Sequence, residues 1–266
     1  MQPVKAKKRL GQHFLHDRHI AGRIADSLQL HEPVEYVLEI GPGTGILTGY
    51  LLNNPSIRLK AVEIDPEASA YLHRMWPQLD LIQNDFLKVD LSTLFSTQFS
   101  IIGNLPYNIS SPIFFSVLRH RQLVKQVVCM VQREVAERIA AGPGTKAYGI
   151  LSVLLQTFYR VELLFRVAPG AFVPPPKVQS AVLRLTRNDR QSLLCSEVLY
   201  FHVVKQAFGV RRKTLRNALK SITLPAVHND PVWQQYADKR AEQLGVDDFI
   251  KVTSLMEQHR AAGHAI

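Results

Sequence analysis

The chain has 266 residues, 46% of them hydrophobic and 20% charged, the make-up of a soluble globular protein with room for one large domain or a medium and a small one. Its formal net charge of +10 suits a polyanionic partner, nucleic acid rather than membrane because no basic amphipathic helix dominates, although composition alone also fits a merely basic enzyme. Two widely separated cysteines, Cys129 and Cys195, exclude a disulfide framework, and the absence of a signal-type or membrane-length apolar run points to a cytoplasmic protein.

The chain opens with a basic arm, Lys5, Lys7, Lys8 and Arg9, that runs into Gly11-Gln12-His13-Phe14-Leu15. A helix is expected over 17–30, where Ile20, Ile24 and Leu28 share a face. His13, His16 and His19 recur every third residue without an accompanying Cys or carboxylate cluster, so they read as surface histidines and no metal is expected. Strands are expected over 35–40, 59–64, 79–83, 99–102 and 126–131, alternating with helices over 46–52, 66–75, 110–118 and 132–140. That alternation predicts an α/β fold with a doubly wound, mostly parallel sheet. The glycine-rich stretch 141–146 follows a helix and lacks the phosphate-loop pattern, so it reads as an inter-helix loop. A helix over 149–158 and strands over 161–167 and 178–185 follow, the strand pair fitting an antiparallel hairpin at a sheet edge. Beyond residue 188 the pattern is helical, over 197–208, 212–222 and 247–259, giving domains at 1–188 and 189–266.

Four strand ends carry the chemistry. Gly41 and Gly43, in Gly41-Pro42-Gly43-Thr44-Gly45, let the chain turn sharply and let a ligand approach the backbone. Ile46 stands where a dinucleotide fingerprint wants its third glycine, which disfavours a nicotinamide or flavin cofactor. Glu39 can face an ammonium group, and Glu63 can accept both hydroxyls of a ribose. Asp85 can accept from an adenine amino group while the Phe86 N–H donates to a ring nitrogen, although Asp85 also reads as a helix cap. Asn104-Leu105-Pro106-Tyr107 ends the fourth strand. The glycine turn, Glu63, Asp85 and Asn104 recur at intervals of roughly twenty residues, so in a parallel sheet all four reach one edge, where such folds bind ligands. Together they describe a site for S-adenosylmethionine with Asn104 at its reactive end.

These residues also carry a resemblance. With Gln132-Arg133-Glu134-Val135, Phe172-Val173-Pro174-Pro175-Pro176-Lys177-Val178 and the stretch 208–219, they make the chain similar to the bacterial small-subunit ribosomal RNA adenine N6,N6-dimethyltransferase family over nearly its whole length. One departure is His13, where the family usually has Asn. The resemblance implies a Rossmann-like catalytic domain with a small helical domain, and S-adenosylmethionine held by His13, Leu15, Gly41, Glu63, Ile64, Asp85 and Asn104. It further implies dimethylation of two adjacent adenosines near the 3′ end of 16S rRNA, during assembly of the small ribosomal subunit.

A mechanism can be argued from the residues themselves. Adenine N6 is a poor nucleophile because its lone pair is delocalised. Asn104 Oδ1 and the Leu105 carbonyl can each accept one N6–H, aiming the lone pair and stabilising the charge that develops on nitrogen. Pro106 stiffens the turn and Tyr107 can stack on the extruded base. Phe172 reads about equally as a stacking partner on the other face or as a core aromatic beside a proline turn. Arg211, Arg212, Lys213, Arg216 and Lys220 form a basic run with no acid within it, and Arg212, Arg216 and Lys220 would share one helical face, so phosphate contact is expected. Two rivals stay open. One is a large-subunit rRNA methyltransferase of the macrolide-resistance type; the other is a non-catalytic RNA-binding factor on the same scaffold. Nothing in the sequence calls for an obligate oligomer, so a monomer is expected.

Overall fold

The computed structural model describes residues 4–263. The chain divides into two compact units, one formed by residues up to 136 with 160–187, the other by 137–159 with 188–266. The sequence reading placed the division at 188; the compact units instead put the segment 137–159 with the C-terminal helices.

The first unit is built on a seven-stranded sheet. Its strands are β2 (Glu35–Ile40), β3 (Ile57–Glu63), β4 (Asp80–Gln83), β5 (Phe99–Asn104), β6 (Val124–Gln132), β7 (Tyr159–Val167) and β9 (Ser180–Arg187), in the order β4-β3-β2-β5-β6-β9-β7. A two-stranded ribbon pairs β1 (Phe14–Leu15) with β8 (Phe172–Val173). The central strands are parallel, and β9 runs antiparallel to β6. As expected from the sequence, β7 and β9 are neighbours with β7 at the edge.

Strands buried on both faces are built largely of apolar residues: Val127 to Val131 are all fully buried, as are Val37, Leu38 and Ala61. Burying one such valine contributes roughly 1.5–3 kcal/mol. The helices that cover the sheet begin at clear signals. Asp17 caps α1 (Arg18–Ala25) by accepting the Ile20 N–H at 3.0 Å. Asp65 caps α3 (Pro66–Met75) by accepting the Glu67 N–H at 3.0 Å, with Pro66 in the first turn. Helices α2 (Ile46–Leu52) and α4 (Ser110–Arg119) follow β2 and β5, and α5 (Arg133–Ala140) follows β6.

The chain proceeds from β2 outward to β3 and β4, then returns to place β5 on the other side of β2. The order therefore reverses between β2 and β5, the topological switch point at which open α/β sheets bind ligands. The register aligns the carboxyl ends there: Ile40 opposite Val62, Glu63 opposite Gln83, and Asn104 opposite Met130.

The second unit comprises α6 (Ile150–Phe158), α7 (Glu197–Gly209), α8 (Leu215–Ala218), α9 (Pro231–Ala237) and α10 (Val246–Gly263). Its core holds Leu154, Phe158, Tyr200, Val203, Trp233 and Phe249, all fully buried. A hydrogen bond of 2.8 Å joins the Thr157 and Tyr200 hydroxyls inside it. The helix expected over 212–222 is reduced to the four residues of α8, because Thr214 bridges to Arg240 and the Leu215 N–H donates to the Lys239 carbonyl instead of continuing a helical ladder. No helix among the described residues is long and apolar enough to cross a membrane.

Candidate active site

The glycine turn lies between β2 and α2. Gly41 has φ +66°, and no atom lies within 4 Å of where a Cβ would stand, so its bare backbone faces open space. Gly43 has φ +57°, and a Cβ there would come within 2.9 Å of the Phe14 ring, which the arm lays over the turn. Behind the turn, Glu63 is 3% exposed and its carboxylate bridges two backbone donors, Gly43 N–H at 3.0 Å and Asp65 N–H at 2.9 Å. Burial pushes its pKa up, opposed by those N–H groups. Glu39 is almost fully buried and accepts the Thr48 hydroxyl at 2.7 Å. Burial raises its pKa to about 8, so at neutral pH it holds a proton.

The Asn104 side chain is oriented by the arm. Its Nδ2 donates to the His13 carbonyl at 2.9 Å. A carbonyl can only accept, so the amide nitrogen must face His13 and Oδ1 must face the other way. The following peptide is held by the Leu105 N–H, which donates to the Met130 carbonyl at 3.0 Å. The Tyr107 hydroxyl shares a 2.5 Å hydrogen bond with Ser180, and burial holds the phenol pKa above its ordinary value against that bond. The His13 ring stacks on Tyr107, centroids 5.6 Å apart, and its Nδ1 lies 2.8 Å from the Pro174 carbonyl, which makes that nitrogen the protonated one.

The arm itself is tied down at Asp65. Lys7 Nζ is 2.5 Å from Asp65 Oδ1 and 3.1 Å from Glu67, while Gln12 accepts the Lys7 N–H at 2.7 Å and donates to Asp65 Oδ2 at 3.2 Å. Burial works to raise the Asp65 pKa, but the Lys7 and Gln12 bonds outweigh it and hold the carboxyl below its ordinary value. The ribbon completes the docking, with Phe14 opposite Val173 and Leu15 opposite Phe172.

Arm and strand ends line an open cleft at the carboxyl edge of the sheet. Its lining brings together His13, Gly41, Gly43, Glu63, Ile64, Asp85, Phe86 and the whole stretch from Asn104 to Tyr107. An adjoining recess is lined by Leu15, Glu39, Gly41, Gly43 and Asn104. A family model described as ribosomal RNA adenine dimethylase matches residues 4–258. The chain belongs to that family. Relatives named ribosomal RNA small subunit methyltransferase A include one from Cytophaga hutchinsonii, 54% identical over 96% of this chain and 99% of its own, and one from Parabacteroides distasonis, 52% identical over 97% of each. Among solved structures, a dimethyladenosine transferase from Plasmodium falciparum superposes with a TM-score of 0.78 at 26% identity, covering 94% of this chain and 98% of its own. The 23S rRNA methyltransferase ErmE shares the fold, with a TM-score of 0.71 at 24% identity over 92% of this chain and all of its own. Membership in the dimethylase family makes the protein an S-adenosylmethionine-dependent rRNA adenine methyltransferase with a Rossmann-like sheet.

Two groups of expected site residues lie elsewhere. Phe172 is 2% exposed and packs in the core of the first unit with Leu15, Val167 and Ala171, away from the cavity lining. Its alternation in the ribbon turns the ring inward, opposite Leu15, which answers to the core reading. In the second unit, the basic run does find acids, supplied by distant sequence. Arg211 pairs with Glu242 at 2.8 Å and Arg216 with Asp238 at 3.2 Å, whereas Arg212, Lys213 and Lys220 are exposed. Because α8 is short, Arg212, Arg216 and Lys220 do not share a helical face.

Asp85 combines two roles, since one carboxylate oxygen caps the turn by accepting the Leu87 N–H at 3.0 Å while the residue lines the cavity. Sequence reasoning passed over Gln12, Asp65 and Ser180, and took Lys7 only as part of a basic arm. Asp65 had a local signal, a carboxylate directly before Pro66 at a strand end; the other three also need partners more than fifty residues away.

Proposed function

We propose that the protein transfers methyl groups from S-adenosylmethionine to N6 of two adjacent adenosines near the 3′ end of 16S rRNA, dimethylating each, as a cytoplasmic monomer acting in small-subunit biogenesis. The names of its full-length relatives support the substrate. The observation that carries the chemistry is the Asn104 amide, whose nitrogen is engaged by His13 so that an acceptor oxygen is presented where the strand ends meet.

The donor set fits the cofactor. Glu63 is a buried carboxylate preset by two N–H groups, each oxygen keeping a second lone pair for a ribose hydroxyl. Ile64, 46% exposed beside Asp85 and Phe86, offers an apolar platform to a purine. Glu39 faces the recess that continues past Gly41 toward Asn104, and suits an ammonium group. When bound, S-adenosylmethionine supplies a methyl group made electrophilic by its sulfonium.

The chain's own residues do the rest. Asn104 Oδ1 and the Leu105 carbonyl accept the two N6 hydrogens of the target adenine, direct the nitrogen lone pair at the methyl carbon, and stabilise the positive charge that forms on nitrogen. The methylated nitrogen, now cationic and acidic, loses one N6 proton to solvent, so these preoriented dipoles need no strong base. Tyr107 takes the extruded base on the face opposite His13, its ring fixed by Ser180. In the second round a single N6–H remains, so one of the two acceptors goes unused.

Methyl transfer from labelled cofactor to under-methylated small subunits, with the modified bases mapped, tests this reading. Label is expected on N6 of two adjacent adenosines near the 3′ end of the RNA. Absence of label on adenine N6 refutes it.

A further inference from the structure

Glu63 at the ribose end of the site and Asn104 at the amine end are joined by a continuous run of contacts through the arm. The Asp65 N–H donates to Glu63 at 2.9 Å. The buried Asp65 carboxylate receives Lys7 Nζ at 2.5 Å on one oxygen and Gln12 Nε2 at 3.2 Å on the other. Gln12 Oε1 in turn accepts the Lys7 N–H at 2.7 Å, which closes residues 7–12 into a clip with both ends on one carboxylate. His13 follows the clip directly, and its carbonyl accepts from Asn104 Nδ2 at 2.9 Å. The clip sits tightly on the loop after Asn104, since a Cβ at Gly11 would stand 2.8 Å from Asn108 Oδ1.

An asparagine amide presents an oxygen or a nitrogen according to its partners. Turned over, Asn104 would aim its own N–H at the N6 hydrogens of an adenine, donor against donor. The His13 carbonyl opposes that turn, and it does so only while it points at Asn104. Beyond His13 the chain is held by the ribbon and by the His16 N–H, which donates to the Ala171 carbonyl at 2.9 Å. Before His13 it is held by the clip. A peptide plane fixed from one side can swing about its soft dihedrals, whereas one fixed from both sides points one way.

We propose that Lys7, Gln12 and Asp65 are positioning residues for methyl transfer. Clipped to Asp65, the arm sets the His13 carbonyl against Asn104 Nδ2 and so keeps Oδ1 turned to the target amine. Asp65 also donates to Glu63, so the ribose acceptor and the orientation of the catalytic amide share one support. The three residues act through Asn104 and not on the reacting atoms. The inference rests on the reading of Asn104 as the acceptor for the amine.

The test combines single-turnover methyl transfer to under-methylated small subunits at saturating S-adenosylmethionine with NMR of the Asn104 side-chain amide in the cofactor-free, full-length protein. The amide signal is identified by its loss in Asn104→Ala. Lys7→Met removes the charge but keeps the stem, and touches neither the cap of α3 nor Glu63. A released asparagine has about six orientations, three about χ1 and two of the amide, so Lys7→Met is expected to slow turnover by roughly three- to sixfold. It is also expected to speed hydrogen exchange at Asn104 Nδ2, with thermal unfolding at the wild-type value. Lys7→Arg, which can keep the ion pairs, is expected to restore both readouts. In an Asn104→Ala background, Lys7→Met is expected to slow turnover no further. Wild-type turnover at saturation with only a weaker cofactor affinity, or an effect that multiplies with that of Asn104→Ala, overturns the proposal. So does unchanged exchange at Nδ2. Near-normal turnover in Asn104→Ala alone refutes the acceptor reading itself, and the exchange measurement then still decides whether the clip orients the amide.

Discussion

Replacing Asn104 by alanine separates the two tasks assigned to its amide. The Oδ1 task is transition-state stabilisation; losing one preoriented acceptor of this kind costs about 10²–10³ in turnover, or roughly 2.7–4 kcal/mol. The Nδ2 task is a single 2.9 Å hydrogen bond to the His13 carbonyl, on an arm that is also held by Lys7, Gln12 and the β1–β8 ribbon. A neutral hydrogen bond contributes about 0.5–1.5 kcal/mol, which converts to roughly a two- to twelvefold loss of cofactor affinity if the arm covers the cofactor. Asn104→Ala should therefore lower single-turnover methyl transfer at saturating cofactor by two to three orders of magnitude, while calorimetry registers about a tenfold weaker cofactor at most. Asn104→Asp provides the sharper variant, because it sets an anionic oxygen against the His13 carbonyl and should loosen the arm more than alanine does. Near-normal turnover in Asn104→Ala, or a loss of cofactor binding as large as the loss of turnover, refutes this division of labour.

Three further outcomes follow from the same site. Glu39 holds a proton up to about pH 8, so a cofactor ammonium that draws out its carboxylate must expel that proton; calorimetry at pH 7 in buffers of differing ionisation heat should show proton release, lost in Glu39→Gln. The sign for the free protein runs the same way: Glu39 binds its proton more tightly folded than unfolded, so its contribution to stability falls as pH rises from about 4.5 to about 8. Phe172→Ala should cost about 3–5 kcal/mol in denaturant unfolding, whereas Phe172→Leu should keep turnover near wild type; a stable leucine variant without turnover would return the ring to the substrate. Asp65→Asn should leave the arm sensitive to protease. Asp65 is held below its ordinary 3.8 and Lys7 above its ordinary 10.5, so the pair's contribution is complete between those values and fades only as pH falls through the one or rises through the other. Arm protection in the wild type should thus be flat from about pH 5 to 9, and a midpoint near neutrality would contradict the pairing.

What could be read from the sequence was what is encoded locally. A buried parallel strand is a short apolar run, and the residue at its carboxyl end is fixed by where that run stops; hence the sequence alone sets Gly41, Glu63, Asp85 and Asn104 at one edge, where the structure brings them together. Interactions with no periodicity were silent. The ribbon strands β1 and β8 are two residues each, too short for any alternation, and their pairing joins residues about 160 positions apart. The basic run 211–220 looked unpaired because its acids, Asp238 and Glu242, lie more than twenty residues further on. Phe172 was ambiguous for a related reason: which side of a two-residue strand faces the core depends on its partner.

The ribbon also bears on how the protein is made. Phe14 and Leu15 are synthesised well before their partners: Phe172, Val173 and the Pro174 carbonyl that receives His13 come some 160 residues later. At roughly 5–20 residues per second, the arm waits about ten to thirty seconds for its partner strand. Throughout that interval the glycine turn and Glu63 already exist without their cover. A nascent chain thus lacks the β8 cover of the glycine turn until residue 174 has been synthesised, and translation products that end before it cannot form the ribbon.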